Sequence, residues 1–176
     1  MPDPAEQIRP VTSGPLARAS AAASRLCLWG AGAGLVALTA IILWQVFTRY
    51  VLNDSPAWSE QLALYVLVWT VLLGAAAGVR EGFHIRITAV QNSLSPARRR
   101  MALIASNAVT ALIGAVLAVE GARVVAALWG YAIPTLGLPR GSALLPLPVA
   151  GGLTVLFSVE HILAERRGLS VAPVWS

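Results

Sequence analysis

No lysine occurs in this chain of 176 residues; all thirteen basic residues are arginine. Charge of either sign is scarce, since 12% of residues are charged while 57% are hydrophobic. A soluble domain carries about twice that charged fraction, so the composition excludes an ordinary water-soluble fold and points to a membrane protein. The formal net charge of +5 does not indicate a nucleic-acid partner, because the arginines sit mostly at the ends of apolar runs and form no stripe with interleaved aromatics. The single cysteine, Cys27, excludes an internal disulfide, a CxxC pair and a cysteine-based metal site. Histidine is nearly absent too. His84 and His161 lie at the ends of different runs with no further histidine or cysteine to complete a metal site. GxSxG, HExxH and Walker signatures are missing. No catalytic residue, cofactor or metal is therefore expected.

What the chain does have is four apolar runs: Leu26–Phe47, Gln61–Val79, Met101–Val119 and about Ala143–Leu163. The first holds twenty-two uncharged residues and spans roughly 33 Å as a helix, enough to cross a hydrocarbon core of about 30 Å. It is too long for the apolar region of a signal peptide and ends in Gln45–Arg49 without a small-residue cleavage site. Unsatisfied backbone groups are costly in lipid, so the runs are helices. The expected fold is an all-α integral membrane protein of four transmembrane helices. A flexible tail covers residues 1–24, turning helical near Ala21, and the four-helix domain covers 25–167. Residues 168–176 form a C-terminal tail.

The arginines set the orientation. With the N-terminus inside, ten of them (Arg9, Arg18, Arg25, Arg80, Arg86, Arg98, Arg99, Arg100, Arg166 and Arg167) fall in inner segments. Only Arg49, Arg123 and Arg140 fall outside. That bias places both termini in the cytoplasm. Small residues at helical spacing (Gly30 and Gly34, Gly74 and Gly78, then Ala111, Ala115, Ala118 and Ala122) predict close helix packing in a compact bundle.

No ionisable residue stands at mid-depth in any run, where a transporter of charged substrates tends to carry one. The conspicuous groups lie at the interfaces. Arg49 closes the first span and Glu60 opens the second at about the same depth, with Ser59 or Asp54 placed to cap that helix. Two readings are open: an Arg49–Glu60 ion pair that closes the hairpin with Trp58 as a belt residue, or a polar notch that contacts another membrane subunit. The inner segment Arg80–Val90, "REGFHIRITAV", reads as a short amphipathic stretch on the membrane surface or as a solvated loop.

Across these two segments the chain resembles a known family. "VFTRYVLNDSPAWSEQLALYVLVWTVLLGAAAGVREGFHIRI" is similar to the signature of the small permease subunit, of DctQ type, of tripartite ATP-independent periplasmic (TRAP) transporters. The matching positions are Phe47, Arg49, Tyr50, Trp58, Ser59, Glu60, Gly74, Ala75, Arg80, His84, Ile85 and Arg86. "LGLPRGSALLPLPVAGGL", Leu136–Leu153, resembles the proline-containing start of that family's last span. Gln61 and Thr88 depart from the pattern, where glutamate and aspartate are common. The resemblance implies a non-catalytic scaffold in the bacterial inner membrane, part of a sodium-coupled uptake system for an organic acid. Its implied partners are a large permease subunit, a periplasmic substrate-binding protein and the lipid bilayer. It also implies that Arg49, Tyr50, Trp58, Ser59, Glu60, Arg80, His84 and Arg86 form subunit-interface or structural positions. The competing readings are a stand-alone tetraspan transporter or channel and a membrane-embedded enzyme; the enzyme would need a convergent polar cluster.

Overall fold

The computed structural model describes residues 14–54, 56–82 and 95–171, together with Thr12 and Val174. Four long helices dominate it: α1 (Pro15–Val51), α2 (Ala57–Glu81), α3 (Pro96–Leu128) and, after a five-residue helix α4 (Arg140–Leu144), α5 (Pro146–Arg167). All four are long and apolar enough to cross a membrane. The protein is thus an all-α, four-span membrane protein.

α1, α2 and α3 outrun their apolar runs at both ends, and α5 begins three residues inside its run and ends four beyond it. The largest difference is in α1, which begins at Pro15 and not near Ala21. Gly14 (φ 144°) turns the chain in a conformation that side-chain-bearing residues avoid, and Pro15 then presets the first helical φ. The alanines and leucine that follow favour helix strongly, although they show no apolar periodicity. Pro146 opens α5 in the same way, where a missing amide donor costs least.

Successive helices run antiparallel. Side chains at the start of α1, the end of α2 and the end of α5 touch one another, and Arg100 of α3 hydrogen-bonds the Arg166 carbonyl of α5. The described arginines Arg18, Arg25, Arg80, Arg98–Arg100, Arg166 and Arg167 therefore gather at one end, and Arg49, Arg123 and Arg140 at the other.

The helices pack on one another, as the small-residue stripes predict, in an open row. α3 packs mainly on α5, α5 on α2, and α2 on α1. In lipid no hydrophobic drive closes such a row, so association follows close backbone approach. Between α1 and α2, a side-chain carbon at Gly30 would meet Leu73, one at Gly34 would overlap Thr70, and Gly74 faces Ala31. Between α3 and α5 the contact stripe is Gly114, Ala118 and Gly121; of the predicted run of alanines Ala118 lies in it, while Ala115 and Ala122 are exposed. Glycine wins at these positions because even a methyl group at Gly114 or Gly121 would come within about 3 Å of Thr154, Leu147 or Pro148. The core proper is small. Phe157, Ala76 and Ala150 sit at its centre, with Ala23, Leu72, Val79, Leu153 and Leu156 around them.

Candidate functional site

The sequence nominated the α1–α2 hairpin. Here α1 ends by turning Leu52 and Asp54 amides onto the Thr48 carbonyl, with Asn53 in the left-handed region at φ 51°. Asparagine tolerates that conformation better than most residues. Thr48 and Ser59 are the buried positions of this joint. Their hydroxyls turn inward on their own helices: Thr48 Oγ1 donates to the carbonyls of Trp44 (3.0 Å) and Gln45 (3.1 Å), and Ser59 Oγ to Pro56 (2.8 Å). Neither Ser59 nor Asp54 caps α2, contrary to expectation. Ser59 already lies inside the first turn, where its hydroxyl reaches back to a carbonyl.

Arg49 and Glu60 each follow a buried residue and are rotated by about 100° from it around the helix. Both side chains are exposed, and neither forms an ion pair or hydrogen bond among the described residues. Tyr50 and Trp58 are exposed beside them. The hairpin thus turns without an Arg49–Glu60 pair and leaves Arg49, Tyr50, Trp58 and Glu60 facing outward. Trp129, Tyr131 and Leu138 are exposed on the other loop at this end, which an Ala132–Pro139 bridge holds together.

At the arginine-rich end, Arg80 is buried, with 4% of its surface exposed. The guanidinium bridges two carboxylates, Nη1 at 3.2 Å from Glu81 Oε1 and Nε at 3.3 Å from Glu160 Oε2. Two hydroxyls from α1 complete the cluster: Ser20 donates to Glu160 Oε2 and Ser24 to Glu81 Oε1, each at 2.6 Å. The Val174 amide donates to Glu81 Oε2 (2.9 Å). His161 Nε2 lies 3.0 Å from the Arg80 carbonyl and carries the hydrogen there, because a carbonyl can only accept. Glu160 Oε1 has no hydrogen-bond partner among the described residues. Phe157 and Ala164, one turn away on either side along α5, are buried against the rest.

Sequence reasoning singled out Arg80 but missed Ser20, Ser24, Glu81 and Glu160. The available signal was the spacing: Ser20 and Ser24 share a helix face at i, i+4. Arg80–Glu81 and Glu160–His161 lie near the ends of two spans that run parallel and finish at one depth. The cluster ties three helices together with charges that water does not reach. Its chemistry is that of a clamp, since every functional atom with a partner is held by another part of the same chain. His84 and Arg86 lie outside the described residues.

Comparison with known proteins agrees with this architecture. The family model for "Tripartite ATP-independent periplasmic transporters, DctQ component" matches residues 38–168. A sialic acid TRAP transporter small permease protein, SiaQ, of Vibrio cholerae is 32% identical over 130 residues, covering 73% of this chain and 74% of the relative. A C4-dicarboxylate TRAP transporter small permease protein of Rhodobacter capsulatus is 31% identical over 98 residues, 54% of this chain and 43% of its own length. A putative TRAP transporter small permease protein of Haemophilus influenzae is 24% identical over 131 residues, 74% of this chain and 81% of its own.

Proposed function

Because this chain belongs to the DctQ-component family of tripartite ATP-independent periplasmic transporters, we propose that it scaffolds a large permease subunit in a sodium-coupled uptake system for an organic acid. As a small permease subunit it is a transport component and not an enzyme. The proposed setting is the bacterial inner membrane, with both termini cytoplasmic and a periplasmic binding protein delivering substrate to the complex.

The observation that carries the scaffold reading is where the ionisable groups lie. Among the described residues, none stands at mid-depth in a span. The buried ones, Arg80, Glu81, Glu160 and His161, sit together at one end and bind one another. No helix offers a charged path through this subunit. The open row also leaves apolar surface for a neighbour. A groove of about 290 Å³ runs between α2 and α3, walled by Leu72, Val79, Ile113 and Leu117 and floored by Ala150. Small residues of this kind let a further helix come close.

The direct test is reconstitution in liposomes. The purified chain alone is expected to give no substrate uptake, and uptake is expected only with the large permease subunit, the binding protein and a sodium gradient. Uptake by this chain alone would establish the stand-alone tetraspan transporter in its place.

The exposed Arg49 and Glu60 supply a second test. Replacing either with alanine is expected to weaken copurification with the large subunit by about five- to thirtyfold, the equivalent of 1–2 kcal/mol at an interface. The substrate affinity of the binding protein should not change. Since the two side chains do not pair within the chain, the exchange Arg49→Glu with Glu60→Arg should not restore assembly. Normal copurification and transport by both alanine variants would remove these residues from the interface.

A further inference from the structure

Five arginines converge where α3 begins and α5 ends. Arg98, Arg99 and Arg100 occupy the first turns of α3, and Arg166 and Arg167 the last turn of α5. The Arg100 guanidinium donates to the Arg166 carbonyl and joins the two helix ends. Arg98, Arg100, Arg166 and Arg167 are exposed and Arg99 is half-buried. Glu165 is the only carboxylate in these two turns.

Local helix energetics does not explain this crowding. Cations are favoured at a helix C-terminus, which suits Arg166 and Arg167, but they are disfavoured at an N-terminus, where Arg98–Arg100 stand. Ser95, at the N-cap, makes no side-chain cap that would offset them. Like charges this close also repel one another unless an anion lies between them. Apolar side chains begin at once on the membrane side. Met101 is 71% exposed and Leu163, one turn before Arg167, is 36% exposed. Arg167 further borders a cavity of about 180 Å³ whose lining is mainly apolar, with Leu16, Ala17, Leu163 and Leu169, and which has Glu160 as its carboxylate.

We infer that the joined ends of α3 and α5 bind the phosphodiester headgroup of an anionic phospholipid, with Met101 and Leu163 against its acyl chains. Charge complementarity selects an anion. The apolar side chains within one turn of the arginines select a lipid over a soluble phosphate. Basic pockets between spans are suited to such headgroups, each arginine near the surface adding on the order of 1 kcal/mol. The site needs neither transport partner.

The experiment is thermal unfolding and lipid titration of the full chain in nanodiscs of phosphatidylcholine with or without phosphatidylglycerol. Phosphatidylglycerol is expected to raise Tm, and rising salt to weaken the effect. The double variant Arg98→Gln/Arg167→Gln is expected to bind phosphatidylglycerol roughly tenfold more weakly, while keeping its Tm in pure phosphatidylcholine. The control Arg123→Gln/Arg140→Gln removes the same charge at the opposite end and is expected to leave the affinity unchanged. Equal stabilisation by phosphatidylcholine, the same shift from inorganic phosphate, or equal losses in both double variants would each overturn the assignment. Should the first double variant lose stability in phosphatidylcholine, Arg98→Gln alone, on the exposed side of α3, is the variant that decides.

Discussion

Arg80→Met is expected to loosen the whole arginine-rich end, lowering the Tm of the purified chain by roughly 10 °C, the equivalent of about 3–5 kcal/mol. The size follows from what the substitution strands. Among the described residues, Arg80 is the cation that bridges Glu81 and Glu160, whose side chains are at most 2% exposed. Methionine fills much of the same volume, so the loss is electrostatic and not a cavity. Two carboxylates would then share a site in which the donors from the described residues are the Ser20 and Ser24 hydroxyls and the Val174 amide. A buried charge deprived of its partner costs more than the pair was worth. The triple variant Arg80→Met/Glu81→Gln/Glu160→Gln removes the stranded charge and should recover most of the Tm. If the single variant keeps the native Tm, the cluster is not the clamp described above.

Gly151→Ala and Gly152→Ala should part company although the two glycines are neighbours. A methyl group at Gly151 would lie 2.5 Å from the Ala118 amide nitrogen and 2.7 Å from the Gly114 carbonyl oxygen, both backbone atoms that cannot rotate away. α3 and α5 must then separate, at a cost of about 1–3 kcal/mol. At Gly152 nothing lies within 4 Å. There alanine should be neutral or stabilising, because glycine in a helix interior costs up to about 1 kcal/mol. Thermal unfolding in one detergent compares the two. Equal stability of the pair would mean that α3 and α5 do not meet at Gly151.

The spans were legible in the sequence because lipid imposes one rule on every residue of a run. Twenty or so apolar residues without charge can do little else than cross. The antiparallel order and the gathering of arginines follow from the same count. Packing was half legible. The Gly30–Gly34 spacing of α1 and Ala118 of α3 marked true contacts, whereas Gly114 and Gly121 were hidden among alanines such as Ala115 and Ala122 that turn outward. A helix rich in small residues has several faces that could pack, and only the partner decides which does. The buried cluster was the least legible part. Ser20 and Ser24 belong to a stretch with no apolar periodicity, which reads as tail. Their role appears only when Glu81 and Glu160, 57 and 140 residues away in the chain, arrive beside them. At the hairpin, sequence placed Arg49 and Glu60 at one depth but could not give their rotation, which the burial of Thr48 and Ser59 decides.

The open row of helices has a mechanical meaning. A closed bundle encloses a space that can widen or narrow, and a row does not. With α3 packed mainly on α5, α5 on α2 and α2 on α1, every span borders the outside along at least one flank. Such a plate resists shear within its own plane, where glycine seams and the Arg80 clamp lock adjacent spans, and yields most easily by bending across it. That is the shape the proposed scaffold role asks for.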